Sequence, residues 1–190
     1  RSTPSNSSAA SDVYKRQIKR LNRLIQDFLD YARPIEPRPE VCRASVVWKE
    51  VEGLISDQLD RKNARVTLDG DAVLFVDPQH LKQIFLNLAI NALEAMANER
   101  ENRIDIHIKA EERSASIIFR DTGQGIAEEI REHIFEPFFS SKAKGLGLGL
   151  ALVKNLIQKN HGAIRLVDVG PHGTTFELCF YSDRKEGYRA

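Results

Sequence analysis

The sequence predicts an α/β (α+β) two-layer sandwich in which helices cover one face of a mixed β-sheet. Stretches with alternating apolar and polar residues, typical of half-buried strands, are interrupted by stretches with helical periodicity. Adjacent strand segments are joined by short turns, as between residues 103–109 and 114–120. Runs of strands broken by helices favour a sheet that packs one face against a helical layer.

Periodicity and turn residues divide the chain into elements. Helix 78–97 begins after Asp77 and Pro78, residues that favour a helix start, and helix 148–160 begins in a glycine-rich run. Residues 114–120 alternate as a strand. In chain order the expected elements are strand 41–43, helix 45–61, strands 65–68 and 73–76, helix 78–97, strands 103–109 and 114–120, a short helix 127–133, helix 148–160, and strands 163–167 and 174–181.

Composition indicates a soluble globular protein. The chain has 190 residues, of which 42% are hydrophobic and 29% charged, enough for one core and an appendage. A net charge of +1 gives no electrostatic reason to expect nucleic acid or a membrane surface as partner. No run reaches the roughly 18 apolar residues that span a bilayer, so any anchor should lie outside this chain. Cys42 and Cys179 lack metal-site spacing and suggest reduced thiols of a cytoplasmic protein.

The first forty residues form three expected segments. Residues 1–17 begin with a Ser-rich stretch without apolar period, and we expect a disordered or non-native leader. Residues 18–34 carry a helical seam that Pro34 ends, followed by a linker at 35–40. The seam consists of Ile18, Leu21, Ile25, Phe28 and Ala32. A helix this short is marginal alone, so it should pack either in a bundle or on its own domain.

Polar residues interrupt the apolar helix at residues 83–96. Asn87, Asn91 and Glu94 recur at i, i+4 and i+7 and therefore share one stripe. Burying an unpartnered amide costs about 1–3 kcal/mol, so amides here indicate a ligand on that side. The alternative is a core helix whose polar residues are satisfied internally.

Three glycine-bearing motifs follow. Asp121-Thr122-Gly123-Gln124-Gly125-Ile126 comes directly after a strand and permits close approach of backbone to a ligand. Gly145-Leu146-Gly147-Leu148-Gly149-Leu150 opens a helix, where unpaired N–H groups suit phosphate. Gly173-Thr174-Thr175-Phe176 starts the last strand. Each motif alone is also compatible with an ordinary turn.

In this order and spacing, the motifs resemble the N, G1, G2 and terminal GTTF boxes of the sensor histidine kinase catalytic domain. Residues 134–142, IFEPFFSSK, resemble its F box, and Asn160-His161-Gly162 resembles the turn after the G2 helix. The resemblance covers residues 40–181 and implies the Bergerat-type ATP-binding fold of the gyrase, chaperone, histidine kinase and MutL superfamily. Residues 21–34 look like the second helix of the dimerisation and phosphotransfer bundle, which implies a homodimer.

The resemblance also implies roles for individual residues. Asn91 should ligate Mg²⁺, with Asn87 completing the polar face. Asp121 should accept from the adenine amino group, and Thr174 should support Asp121 or a water beside it. Lys142 should neutralise phosphate charge from an ATP lid at 137–146. Some family members have a basic residue where this chain has Glu94, so the positive charge for the phosphates should come from Lys142 or Lys144. The backbone is expected to approach the base at Gly123, Gly125 and Ile126, and the phosphates at Gly145, Leu146, Gly147, Leu148 and Gly149.

The expected reaction is phosphoryl transfer to a histidine outside this chain. Related gyrase-type ATPases place a Glu where Asn87 stands, and an amide cannot take a proton from water. In this family the phosphoacceptor histidine lies in an H box, a His followed by an acidic residue. None of the five histidines here fits that pattern: His80, His107, His133, His161 and His172. The resemblance implies that residues 41–182 form the catalytic ATP-binding domain of a sensor histidine kinase, followed by a tail at 183–190. The phosphoryl group would then be relayed to a response regulator. A serine kinase of the anti-sigma-factor type and a non-catalytic nucleotide-sensing module remain alternatives.

Overall fold

The computed structural model describes residues 36–96, 101–140, 146–170 and 173–181. Several expectations lie outside these residues: the leader, the bundle helix at 18–34, Ala97, Lys142, Gly145, His172 and the tail. Residues 141–145 of the expected lid at 137–146 also lie outside them, whereas residues 137–140 and 146 are described.

Every expected element within the described ranges is present, with small differences at the ends. The helices are α1 (Ala44–Lys62), α2 (Pro78–Ala95), a 3₁₀ helix (Glu128–His133) and α3 (Gly149–Lys159). The strands are β1 (Glu40–Arg43), β2 (Ala64–Asp71), β3 (Val73–Val76), β4 (Asn102–Ala110), β5 (Ser114–Asp121), β6 (Gly162–Gly170) and β7 (Gly173–Tyr181).

The main sheet has five strands in the order β2-β4-β5-β7-β6. β2 pairs with β4 in parallel, whereas the other neighbours pair antiparallel. β1 and β3 form a separate antiparallel pair. The predicted mixed sheet in a two-layer α/β fold is thereby confirmed.

One face of the sheet is buried under the helices. On β4 the inward residues are Ile104, Ile106 and Ile108, and the same alternation continues on β5 and β7. Trp48 of α1 packs edge-on against Phe85 of α2 at 5.6 Å and Phe119 of β5 at 6.0 Å, measured between ring centroids. This cluster joins two helices to the middle of the sheet, and all three rings are buried.

The end of α2 corrects one predicted boundary. The helix was expected to run to residue 97 but ends at Ala95, because Met96 takes an extended conformation with φ −77° and ψ 133°. The Ala95 carbonyl accepts a hydrogen bond from Gln124 N–H at 3.0 Å. The loop after β5 therefore supplies the donor that a further helical turn would have supplied. The expected short helix at 127–133 is 3₁₀ and begins at Glu128.

Both cysteines are free and half-buried. Burial, with the nearby charges of Glu40 and Asp77, raises the pKa of the Cys42 thiol to about 11, which keeps this thiol protonated at neutral pH. Among the described helices, none has the length and apolar character that crossing a membrane requires.

Candidate functional site

One face of α2 forms the floor of the site. Asn87, Asn91 and Ala95 are spaced by four residues and so lie along the same side of the helix. Both amides are half-buried, and Asn87 Nδ2 donates to the Gln83 carbonyl at 2.8 Å. Glu94, expected on the same stripe, is exposed. Of the three polar residues expected on this stripe, the two asparagines are therefore the half-buried ones.

The start of α3 approaches these amides directly. A Cβ atom placed on Gly149 would lie 3.4 Å from Asn87 Oδ1 and 3.7 Å from Asn91 Nδ2, so any longer side chain would fill the space between the helices. The N-terminus of α3 carries the positive end of the helix dipole and N–H groups without intrahelical partners. Two amides and a helix N-terminus thus face one small space, which suits an anion together with a cation.

The glycine loop before α3 is held by the expected F box. Gly147 has φ +70°, and a Cβ there would collide with the Phe139 carbonyl, so only glycine fits. Leu148 is buried and Leu146 half-buried. Phe138, which also has positive φ, is 62% exposed. The described part of the expected lid therefore packs its backbone on the glycine loop.

The end of β5 closes the opposite side of the site. Asp121 is 4% exposed, and its Oδ1 accepts from Gly123 N–H at 2.7 Å. The Gln124 N–H bonds to the Ala95 carbonyl, which docks this loop on the end of α2. Gly125 has φ +77°, and Ile126 packs against the core. A buried carboxylate thus stands at the far end of the face that carries the asparagines.

The last strand lies beside this carboxylate. Thr174 is opposite Asp121 in the β5–β7 register, and it is buried. The backbone of Gly173 lies against the Asp121 carbonyl. The terminal motif therefore supports the strand end that presents Asp121.

The 3₁₀ helix and the F box share a contact that the sequence did not indicate. His133 Nδ1 lies 2.9 Å from Glu136 Oε1, and this hydrogen bond with the adjacent negative charge raises the pKa of His133 above its ordinary 6.5. The His133 ring also lies 5.5 Å from that of Phe139. His133 is exposed, in agreement with its expected surface position.

Most of the residues that meet here were predicted from the sequence as site residues, but Ala95 was not. Its spacing of four from Asn91 was the available signal, but an alanine in an apolar helix indicates no function by itself. Lys142 and Gly145 lie outside the described residues. Within the part of the chain that the structure describes, no group of three His, Cys, Asp or Glu side chains could hold a metal.

Residues 76–184, more than half of the chain, match the family described as "Histidine kinase-, DNA gyrase B-, and HSP90-like ATPase". Among curated proteins, the signal transduction histidine-protein kinase AtoS of Escherichia coli (strain K12) is 33% identical over 171 residues, covering 87% of this chain and 28% of AtoS. The sensor histidine kinase ZraS of Salmonella typhimurium (strain LT2) is 30% identical over 172 residues, covering 88% of this chain and 37% of ZraS. The chain spans about a third of the length of these relatives.

Two solved structures share the fold. Full-length ShkA in complex with AMPPNP superposes with a TM-score of 0.77 at 23% identity, covering 96% of this chain and 40% of that one. The histidine kinase ThkA in complex with the response regulator TrrA gives 0.75 at 22% identity, covering 96% and 53%. The family match and the relatives, added to the fold and the order of the boxes, show that this chain belongs to the histidine kinase-, DNA gyrase B- and HSP90-like ATPase family and contains the catalytic ATP-binding domain of a sensor histidine kinase.

Proposed function

We propose that this chain binds Mg²⁺-ATP along the α2 face and donates the γ-phosphate to a histidine outside the chain, for relay to the receiver domain of a response regulator. One observation carries the proposal: the β5 loop and the start of α3, far apart in sequence, both meet the face made by Asn87, Asn91 and Ala95. These residues span about 12 Å of helix at a rise of 1.5 Å per residue. A nucleotide laid along the face would have a carboxylate at one end and a helix N-terminus at the other.

The adenine end is assigned to Asp121. An ionised carboxylate has about four acceptor positions, so the bond from Gly123 leaves capacity for the amino group of a base. Burial makes this acceptor selective, because a buried carboxylate is stabilised by a donor such as an amino group and disfavours another acceptor in the same place. Gly123, Gly125 and Ile126 supply the backbone beside the base, and Thr174 supports Asp121 across the strand pair.

The phosphate end is assigned to α3 and the two asparagines. The residues fit a magnesium nucleotide, since Gly149 leaves room beside two amides and amide oxygens are hard donors of the kind Mg²⁺ prefers. Asn91 would hold the ion with help from Asn87. When bound, the ion neutralises phosphate charge. The glycine loop, residues 145–149, contributes backbone N–H groups to the phosphates, and Lys142 contributes charge.

Transfer is favoured over hydrolysis by the chemistry of Asn87. An amide is not basic at neutral pH and cannot activate water, so the site positions phosphates without supplying a base. The nucleophile is then the imidazole of a phosphoacceptor histidine in a dimeric bundle, which residues 18–34 would help to build. The curated relatives are named as histidine kinases, which favours histidine over serine as acceptor. We place this activity in the cytoplasm.

The test supplies the missing acceptor. The purified chain should bind Mg²⁺-ATP in calorimetry but neither label itself on histidine nor hydrolyse ATP at an appreciable rate. Adding a bundle segment that carries an H-box histidine should give acid-labile labelling of that segment, and the same segment with His→Gln is the matched control. Acid-stable labelling of a serine in a partner would favour the anti-sigma-factor type. Fast hydrolysis by the chain alone would contradict the role given to Asn87.

A further inference from the structure

α2 and α3 pack on each other as an antiparallel pair with polar contacts at both ends. At the site end, Gly149 lies against Asn87 and Asn91. At the other end, Asn160 Nδ2 lies 2.9 Å from His80 Nδ1. His80 and Asn91 are 11 residues apart, as are Gly149 and Asn160. The two contacts are therefore separated by about 16 Å along α3 and by about 10–16 Å along α2, since Asn87 lies seven residues from His80.

The distal contact has a fixed orientation. Asn160 is 5% exposed; its Oδ1 accepts from Asp77 N–H at 2.8 Å, and its Nδ2 also donates to the Leu156 carbonyl at 2.8 Å. Both bonds would be broken if the amide turned over, so Nδ2 must point towards His80. His80 Nδ1 is then the acceptor, and the ring carries its proton on Nε2.

His80 is a costly residue to bury at this position. It is 3% exposed, and its Nε2 has no hydrogen-bond partner among the described residues; the nearest Asp77 oxygen lies 4.0 Å away. A leucine would fill a similar space without an unmet donor. A buried polar group of this kind specifies the relative position of the two helices more than it stabilises them, because its hydrogen bond forms in only one arrangement.

Directional contacts matter here because the other buried residues of the two helices, among them Leu88, Leu152 and Leu156, are largely aliphatic. Aliphatic contacts have no preferred direction, and cores that keep their volume and apolar pattern lose a unique packing before they lose stability. A slip of one residue would move Gly149 by about 1.5 Å relative to the amides of α2. The hydrogen bond at the distal end opposes such a slip.

The same cluster reaches the segment that leads into the domain. Asp77 Oδ2 accepts from Arg38 N–H at 2.8 Å, while Oδ1 caps α2 through Gln79 N–H at 2.8 Å. Three segments therefore meet at Asp77, His80 and Asn160: the entering chain, the start of α2 and the end of α3.

We propose that His80 and Asn160 are positioning residues that set the axial position of α3 on α2 and thereby hold Gly149 beside Asn87 and Asn91. The inference rests on the proposed function of that end as the phosphate and metal end of the site. The two residues act on the nucleotide from about 16 Å away and touch neither it nor its ion.

The test compares Asn160→Leu with Gln158→Leu, which replaces an exposed amide on the same helix. Calorimetry measures affinity for Mg²⁺-ATP and for metal-free ADP, and fluorescence of Trp48, the single tryptophan, reports the folded fraction. Asn160→Leu should lose about 2- to 30-fold in Mg²⁺-ATP affinity, the range for residues that act on a site through a packed network, while metal-free ADP affinity stays near that of the wild type. Gln158→Leu should change neither.

A second pair decides the question if Asn160→Leu fails to fold. His80→Asn can place an amide oxygen near the position of Nδ1, whereas His80→Gln places it too far along the side chain. We expect His80→Asn to keep the metal-dependent gain in affinity and His80→Gln to lose it. Equal behaviour of this pair, or a folded Asn160→Leu with unchanged Mg²⁺-ATP affinity, would overturn the positioning role. Failure of the wild type to bind Mg²⁺-ATP would instead overturn the proposed function, and this inference with it.

Discussion

Asparagines at the two ends of the α2–α3 pair have opposite surroundings. Asn160 makes three polar contacts within the chain, to Asp77, His80 and Leu156, and it is buried. Asn87 and Asn91 are half-buried and face the backbone of a glycine at the start of another helix. An asparagine whose hydrogen bonds are satisfied within the chain therefore has a structural role. An asparagine beside a space kept open by glycine indicates ligand binding.

The largest expected difference between the two ends is in stability. Asn160→Ala leaves the Asp77 N–H without its buried acceptor, and such a loss costs about 1–3 kcal/mol in the free energy of unfolding. Asn91→Ala should change it by less than about 0.5 kcal/mol, as substitutions away from buried networks do. Denaturant unfolding followed by Trp48 fluorescence measures both. Equal losses would mean that Asn91 is a structural residue like Asn160.

A second prediction concerns the adenine end. Asp121→Asn keeps an oxygen for the Gly123 N–H but replaces a charged acceptor with a mixed amide. Hydrogen bonds to charged groups contribute about 1.5–3 kcal/mol, so Mg²⁺-ATP affinity should fall at least about tenfold. Calorimetry on a variant shown to be folded gives the number. Unchanged affinity would remove Asp121 from the adenine site.

The smallest expected effect is a pH dependence at the distal end. Burial, opposed by Asp77 and aided by Lys159, lowers the pKa of His80 below its ordinary 6.5. As the pH falls below 6.5, the unfolded chain takes up a proton that the folded chain resists, so stability declines until the lowered folded pKa is passed. Above pH 6.5 the contribution of His80 to stability is fully present. His80→Asn should show a weaker decline over this interval, and an identical decline would assign the effect to other groups.

Local pattern predicted most of the fold. The alternation of β4 and β5 placed both strands within one residue of their observed ends, and Asp77-Pro78 predicted the observed start of α2. The end of α2 was missed because the Gln124 N–H, from a loop distant in sequence, occupies the Ala95 carbonyl. No local pattern contains such a partner.

The candidate site was predictable through the order of its boxes, and its internal contacts were not. Glycines between strands and helices mark where backbone approaches, but they do not say that Gly149 meets Asn87 or that Gly147 meets Phe139. The pairing of His80 with Asn160 joins residues 80 positions apart. Asn160 stood out only as part of the turn after the G2 helix, and nothing in the sequence pairs it with His80. Such contacts depend on how the helices pack, which periodicity alone leaves open.

In our proposal, Asn91 and the start of α3 form the metal and phosphate end of a nucleotide site, and Asp121, beyond the opposite end of the α2 face, forms its adenine end. Calorimetric titration of Asn91→Ala with Mg²⁺-ATP and with metal-free ADP tests it most directly. We predict that the variant loses the affinity gained with Mg²⁺ and retains metal-free ADP binding near that of the wild type, because the adenine contacts lie on other elements. Equal losses with both ligands, or an undiminished gain with Mg²⁺, would contradict the claim.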